Sequence, residues 1–184
     1  MKSLMKAQIV GVVLLTMLLS GGTAYAKTAK EIDAGVDRSL ARFQREVFGA
    51  PDMIKKTKGI LVFPSVMKGG IVIGGEYGEG ALRVNGKTTD YYRIISGSLG
   101  FQFGFQVKTV YMLFMEETTL DDFRNASGWQ AGVDGSIALI KVGADGSIDT
   151  TKTNEPILVF VLGQKGLMYN LNLEGSKFSK IQPE

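Results

Sequence analysis

The sequence predicts an α+β domain in which an N-terminal helix packs on a strongly curved antiparallel β-sheet, either open or barrel-like, with one short inserted helix. Three observations point to this class. A helical apolar stripe follows residue 26, and short runs of strand-forming residues between turn residues fill most of the remaining chain. The chain also has 24 glycines and only 4 prolines, which favours bent or closely packed strands over flexible linkers.

Residues 1–26 have the features of a secretory signal peptide. Two lysines give a positive start, Ile9–Leu19 is apolar, and Ala24-Tyr25-Ala26 fits the small-x-small cleavage pattern. The alternative is a transmembrane anchor, but a helix that spans a bilayer needs about 20 apolar residues. We therefore expect an exported protein, periplasmic or secreted and peripheral to a membrane, with a single domain at residues 27–184.

Charge and composition exclude several classes of function. The leader contains two lysines and no acidic residue, so the domain retains 19 of the 21 basic side chains and all 18 acidic ones. This near-neutral balance does not indicate a nucleic-acid partner. The chain has no Cys and no His, which removes Cys/His zinc sites, thiol nucleophiles and Ser-His-Asp triads. We expect no enzyme activity, no catalytic residues, no metal and no cofactor.

The helical stripe begins at a capping box. Thr28 and Glu31 have the spacing at which each side chain can satisfy the other residue's backbone amide. Pro51 should end this helix, and a second short helix is predicted at Asp52–Thr57, stopping at Gly59. The apolar stripe of the first helix consists of Ile32, Val36, Leu40, Phe43 and Val47.

Strands are predicted from Gly59 onward by β-rich composition and alternation. Asn85-Gly86 is the clearest hairpin turn. Gly74–Gly80 fits a tight turn better than a phosphate-binding loop, because it lacks the glycine spacing and the Lys-Ser/Thr pair of such loops. Pro64 is expected to close the first strand. The strands predicted in this part are Gly59–Phe63, Ile71–Gly75, Gly80–Val84, Tyr91–Ser96, Leu99–Val107 and Val110–Met115.

The strand Leu99–Val107 alternates strictly between apolar side chains and glycine or glutamine. Its apolar face is predicted to lie in the core. The opposite face is nearly bare at Gly100 and Gly104, so another backbone, a helix or a ligand can approach the sheet closely there.

The last third of the chain predicts one short helix and a second antiparallel series. Thr119 could cap a helix at Leu120–Ala126, which Gly128 would end. Turns are predicted at Asp134-Gly135 and Asp145-Gly146. The predicted strands are Gln130–Val142, as one strand or two, Ile157–Leu162 and Leu167–Leu173, with a loop at Gly163–Gly166.

A group of lysines beside apolar residues is the candidate binding site. Lysines near exposed apolar side chains suit an anionic membrane surface, where the charges meet headgroups and the apolar tips insert. The alternative is a solvated helix end, since lysine is favourable near a helix C-terminus. The candidate residues are Lys55, Lys56, Lys58 and Lys68, with Met53, Ile54, Val66 and Met67 predicted to be exposed beside them.

Four ordered motifs carry a resemblance to a known family. They read KGILVFPSVMKGGIVIGGEYGEGAL, YYRIISGSLGFQFGFQ, FRNASGWQAGVDGS and KGLMYNLNLEGS, and they extend from about Lys56 to Ser176. Together they resemble the SYLF lipid-binding domain, also described as an actin-regulator domain. Eukaryotic members bind phosphoinositides and some bind actin. Export would keep this chain from cytosolic actin, so the resemblance implies the domain and a preference for anionic lipid, and actin binding is not expected.

Two functions follow as expectations. The first is a non-enzymatic bacterial envelope protein that binds anionic phospholipid at a membrane surface. The alternative is a structural or interaction protein of the envelope that binds a protein partner through its curved sheet.

Overall fold

A computed structural model describes residues 27–70, 73–99, 106–143, 145–148, 154–163, 166–167, 173 and 175–184. The predicted leader lies outside these residues. The elements, in chain order, are α1 (Ala29–Glu46), α2 (Ala50–Lys56), β1 (Gly59–Gly70), β2 (Ile73–Val84), β3 (Lys87–Leu99), β4 (Gln106–Phe114), α3 (Glu117–Asn125), β5 (Trp129–Gln130), β6 (Ala138–Ile140), β7 (Ile157–Gly163), β8 (Gly166–Leu167) and β9 (Lys177–Ile181).

The first helix forms as predicted. The Glu31 amide donates to the Thr28 hydroxyl at 3.3 Å, and the Thr28 amide donates to the Glu31 carboxylate at 2.9 Å, which completes the capping box. Within the predicted stripe, Ile32, Val36 and Phe43 are at most 2% exposed. Among the described residues, no helix has the length and hydropathy of a membrane-spanning segment.

Pro51 was expected to end the first helix, which already ends at Glu46, and Pro64 was expected to end the first strand. Pro51 lies in the first turn of α2, which begins at Ala50, because the first turn of a helix needs no amide donor. Pro64 lies within β1, which was predicted to end before it. The pairing register of β1 shifts between Val62 and Ser65 against β2 and between Phe63 and Val66 against β4. A β-bulge therefore accommodates Pro64, since a bulged residue does not have to donate to the ladder.

The glycine-rich segment Gly74–Gly80, predicted as a tight turn between two strands, is part of the continuous strand β2. β2 pairs with β3 from Ile73 to Val84 and with β1 from Gly74 to Arg83, apart from Gly80 at the bulge. The glycines serve close packing, because a Cβ at Gly80 would overlap the carbonyl oxygen of Val62 in the bulged part of β1. By contrast, the hairpin at Asn85-Gly86 is confirmed: both residues have positive φ, 52° and 77°, and Val84 faces Lys87.

The last third differs from the prediction in two places. Helix α3 begins at Glu117 with Glu116 as its N-cap, so Thr119 lies inside the helix and does not cap it. Strand β6 pairs parallel with β7, an exception in a sheet predicted to be antiparallel. The predicted glycine face at Gly100 and Gly104 lies outside the described residues and stays a prediction, as does most of the predicted strand Leu167–Leu173.

The sheet follows the order β5-β9-β3-β2-β1-β4-β7-β6, with β8 paired to β7. Phe63 of β1 and Phe178 of β9 lie three strand spacings apart in this order, about 14 Å in a flat sheet. Their ring centroids are 5.8 Å apart. The sheet therefore curls strongly into a half-barrel, and the predicted α+β class is confirmed.

Each face of the half-barrel carries its own apolar core. The concave core contains Phe63, Phe123 of α3 and Trp129. The convex core contains the buried stripe of α1 together with Tyr111 and Phe160. Helix α1 crosses the convex face from β3, where Tyr91 donates to Asp33, to β7, where Arg42 donates to the carbonyl of Gly163.

Candidate functional site

The structure divides the predicted binding residues into separate groups. Lys55 and Lys56 lie in the last turn of α2, and Lys58 directly precedes β1. Lys68 lies near the far end of β1, about 33 Å from Lys58 along an extended strand at 3.3 Å per residue. The prediction of one four-lysine cluster is therefore wrong. We call the group Lys55, Lys56 and Lys58 the basic corner.

The apolar members of the predicted site also differ from expectation. Val66 was expected to be exposed, but it is 0% exposed in the concave core. The reason is the bulge at Pro64, whose extra residue reverses the alternation, so Val66 faces the side opposite to Val62. Met53 and Ile54 are partly buried against the convex core, and Met67 is 42% exposed on the convex face.

Lys68 belongs to a charged cluster at the concave side that the sequence did not indicate. Its Nζ lies 3.8 Å from Glu76 Oε1, and Lys108 Nζ lies 2.6 Å from Glu76 Oε2. The side chains of Glu76 and Lys108 are 6% and 2% exposed. Burial lowers the pKa of Lys108, and the neighbouring Glu76 carboxylate opposes this shift. The one available sequence signal was a lysine two residues before the apolar run of β4.

The basic corner presents its charges to water. Lys55 pairs with Asp52 at 3.2 Å, but both side chains are 76% exposed. Such an exposed pair contributes about 0 to 1 kcal/mol, so Lys55 remains available to a ligand. Among the described residues, no ion pair involves Lys56 or Lys58. The basic corner also lies at the C-terminal end of α2, where lysine is favourable. Its position therefore agrees both with a membrane-binding surface and with a solvated helix end.

A row of exposed apolar side chains crosses the convex face beyond α1. Met67 of β1 pairs with Tyr77 of β2, which pairs with Ile95 of β3. They are 42%, 42% and 46% exposed, and we call them the convex row. The Tyr77 hydroxyl donates to Glu79 Oε1 at 2.7 Å, and burial together with this carboxylate raises the pKa of Tyr77 to about 12.

A groove of about 560 Å³ lies between α1 and the strands beside the convex row. Ser65 and Glu79, which face each other on β1 and β2, form part of its floor. They lie two residues along their strands from Met67 and Tyr77, and therefore on the same face of the sheet. Its rim carries both signs of charge, including Lys27, Arg38 and Glu31. The sequence did not indicate this groove, because its walls come from segments that are distant along the chain.

No group of three or more acidic side chains in the described part of the chain could hold a metal ion. The expectation that the protein is not an enzyme stays a prediction.

The sequence of this chain is similar to a known protein family and to a protein of Aeromonas veronii. Residues 95–183 match the family model described as "Ysc84: Las17-binding protein actin regulator". The protein "Beta cell expansion factor A" of Aeromonas veronii is 29% identical over 158 residues, which cover 83% of this chain and 58% of the relative. The chain thus spans less than two thirds of that relative's length. The family match includes Ile95 of the convex row but not the basic corner.

Proposed function

We propose that this chain is a non-enzymatic protein of the bacterial envelope that carries a Ysc84-type (SYLF) domain and binds anionic phospholipid at a membrane surface, because residues 95–183 match the model of that family. The basic corner is the surface that binds. The observation that carries the proposal is the exposure of three lysines within four residues, at the end of a helix that is held against the convex core by the partly buried Met53 and Ile54.

Electrostatics explains why a local group of basic side chains would be needed to attract the domain to an anionic membrane. The domain is nearly neutral, so a membrane cannot attract it through net charge. A lysine near an anionic surface contributes about 1 kcal/mol, and three would strengthen binding about 100-fold. This attraction should weaken with salt, because the Debye length falls from about 10 Å at 0.1 M to about 3 Å at 1 M.

Replacing Lys55, Lys56 and Lys58 together with Gln should weaken vesicle binding about 100-fold, because it removes the basic corner. The measurement is flotation of the purified protein with vesicles of phosphatidylglycerol and phosphatidylethanolamine, against vesicles of phosphatidylcholine alone. The unfolding temperature should stay nearly the same, since exposed charges contribute little stability.

The matched control removes the same charge elsewhere. Lys30, Lys141 and Lys177 are exposed, and their triple replacement with Gln should leave flotation close to that of the parent protein. If the corner variant floats as well as the parent does, the basic corner is not the binding surface. If the parent itself does not float with anionic vesicles, the proposed function is wrong.

The convex row favours a second candidate, a structural or interaction protein of the envelope. Three large apolar side chains in register across adjacent strands form a patch of the kind that marks interaction sites. A photo-crosslinking residue at Ile95 should then capture a discrete envelope protein in living bacteria, while the same residue at the exposed Val133 should not. Equal labelling from both positions would count against this candidate.

A further inference from the structure

Phe48, between α1 and α2, has the most exposed large apolar side chain in the described part of the chain. It is 81% exposed, whereas its neighbours Val47 and Ala50 are 2% and 0% exposed in the convex core. Single exposed apolar residues are common on protein surfaces, so exposure alone does not assign a role. The backbone around Phe48 and the charges near it do indicate a role.

The backbone on both sides of Phe48 is held in place. The Phe48 amide donates to the carbonyl of Gly146 at 2.8 Å. Gly146 has a φ of 85°, and a Cβ there would lie 2.5 Å from the carbonyl oxygen of Glu46, so this turn packs directly against the end of α1. On the other side, the carbonyl of Gly49 accepts from the amides of Asp52 and Met53 at 3.1 Å each. The exposed ring therefore projects from a rigid support.

Basic side chains outnumber acidic ones in the chain segment that contains this support. Between residues 42 and 58 the chain has five basic and two acidic side chains. The acidic ones pair locally, Glu46 with Arg42 at 2.9 Å and Asp52 with Lys55 at 3.2 Å. Helix α2 has seven residues and is about 10 Å long, so Phe48 and the basic corner lie within reach of the same headgroup layer.

One acidic group, Asp145, lies on the turn that packs against the end of α1, and its negative charge opposes the nearby positive charges. Asp145 is exposed beside Gly146, and its carboxylate accepts from the hydroxyl and amide of Ser147, which holds its pKa low. It therefore stays charged at neutral pH. The exposed Arg45, Lys56 and Lys58, which form no ion pair among the described residues, outnumber it.

We propose that Phe48 inserts into the bilayer when the basic corner binds an anionic membrane. This inference rests on the proposed function and names the apolar contact of the same site. Inserting an exposed phenyl ring removes apolar surface from water, and the supported backbone reduces the conformational entropy that insertion costs. Lysines at the headgroups with an aromatic ring below them are the arrangement of interfacial membrane anchors.

Tryptophan fluorescence tests this proposal directly. The chain has one Trp, Trp129, which is 4% exposed in the concave core and should not respond to vesicles. Two variants, Phe48→Trp and the control Val133→Trp, are expressed in bacteria from the full-length chain. Each is purified in the form that the cells produce, with or without residues 1–26. Val133 is 72% exposed in the turn after β5, beside Asp134. With phosphatidylglycerol vesicles, the emission of the Phe48→Trp variant should shift to shorter wavelength and be quenched by acyl-brominated lipid. The emission of the Val133→Trp variant should show neither change.

Binding measurements complete the test. Phe48→Ser should weaken flotation about tenfold without lowering the unfolding temperature, and Val133→Ser should leave flotation unchanged. The inference is overturned if the protein floats but brominated lipid does not quench the Phe48→Trp variant, or if Phe48→Ser floats like the parent. In those cases the proposed function stands on the lysines alone. If the parent does not float, both fail together.

Discussion

Replacing Glu76 with Gln should lower the free energy of unfolding by about 3 to 5 kcal/mol, because it leaves Lys108 buried without its counter-ion. Lys108 Nζ lies 2.6 Å from Glu76 Oε2, and its side chain is 2% exposed. Lys68 has a side chain that is 20% exposed and 3.8 Å from Glu76, so it can still reach water in the variant. Urea unfolding of the variant and parent at pH 7 measures the difference.

A double variant separates the charge effect from packing. Replacing Glu76 with Leu and Lys108 with Met should recover most of the lost stability, since apolar replacements of a buried ion pair are often neutral or stabilising. Recovery no better than the Glu76→Gln variant would show that packing and not charge limits stability here. A Glu76→Gln variant that unfolds within about 1 kcal/mol of the parent would contradict the prediction.

The same variant should respond to pH. Burial lowers the pKa of Lys108 in the folded protein, and removing Glu76 removes the interaction that opposes this shift. Between the lowered folded pKa and the ordinary unfolded pKa, the unfolded chain binds more protons, so stability rises with pH in that window. The deficit of the Glu76→Gln variant should therefore shrink as the pH rises toward about 10, when measured against the parent at each pH.

Replacing Gly80 with Ala should destabilise the fold by about 3 kcal/mol, the upper part of the range for overpacked sites. The added Cβ would overlap the carbonyl oxygen of Val62 and lie 2.8 Å from Cδ1 of Phe63. Both neighbours belong to the part of β1 next to the bulge, whose backbone cannot move without breaking its pairing with β2 and β4. Thermal unfolding measures the effect.

The control for Gly80 is another glycine of the sheet. A Cβ at Gly97 of β3 would meet nothing within 4 Å, and its φ lies outside the left-handed region. Gly97→Ala should therefore change stability by less than about 0.5 kcal/mol, as surface substitutions usually do. If the two variants unfold at the same temperature, close packing of β2 on the bulge is not what Gly80 provides.

Features that depend only on neighbouring residues could be predicted from the sequence. The capping box at Thr28, the buried stripe of α1 and the Asn85-Gly86 hairpin are confirmed, because each is specified within a few residues by hydrogen bonds, periodicity or positive φ. The four sequence motifs also resemble the family whose model matches residues 95–183, and the α+β class followed from the order of these local patterns.

Which side chains face water, and which contact each other, depends on the pairing of distant strands and became clear from the structure. One extra residue at the Pro64 bulge reversed the alternation of β1, so Val66 is buried and Met67 is exposed. Lys68 was grouped with the basic corner by sequence, but strand pairing places it beside Glu76. The Glu76–Lys108 pair and the convex row join residues of different strands, whose register is set by the whole sheet and not by any local pattern.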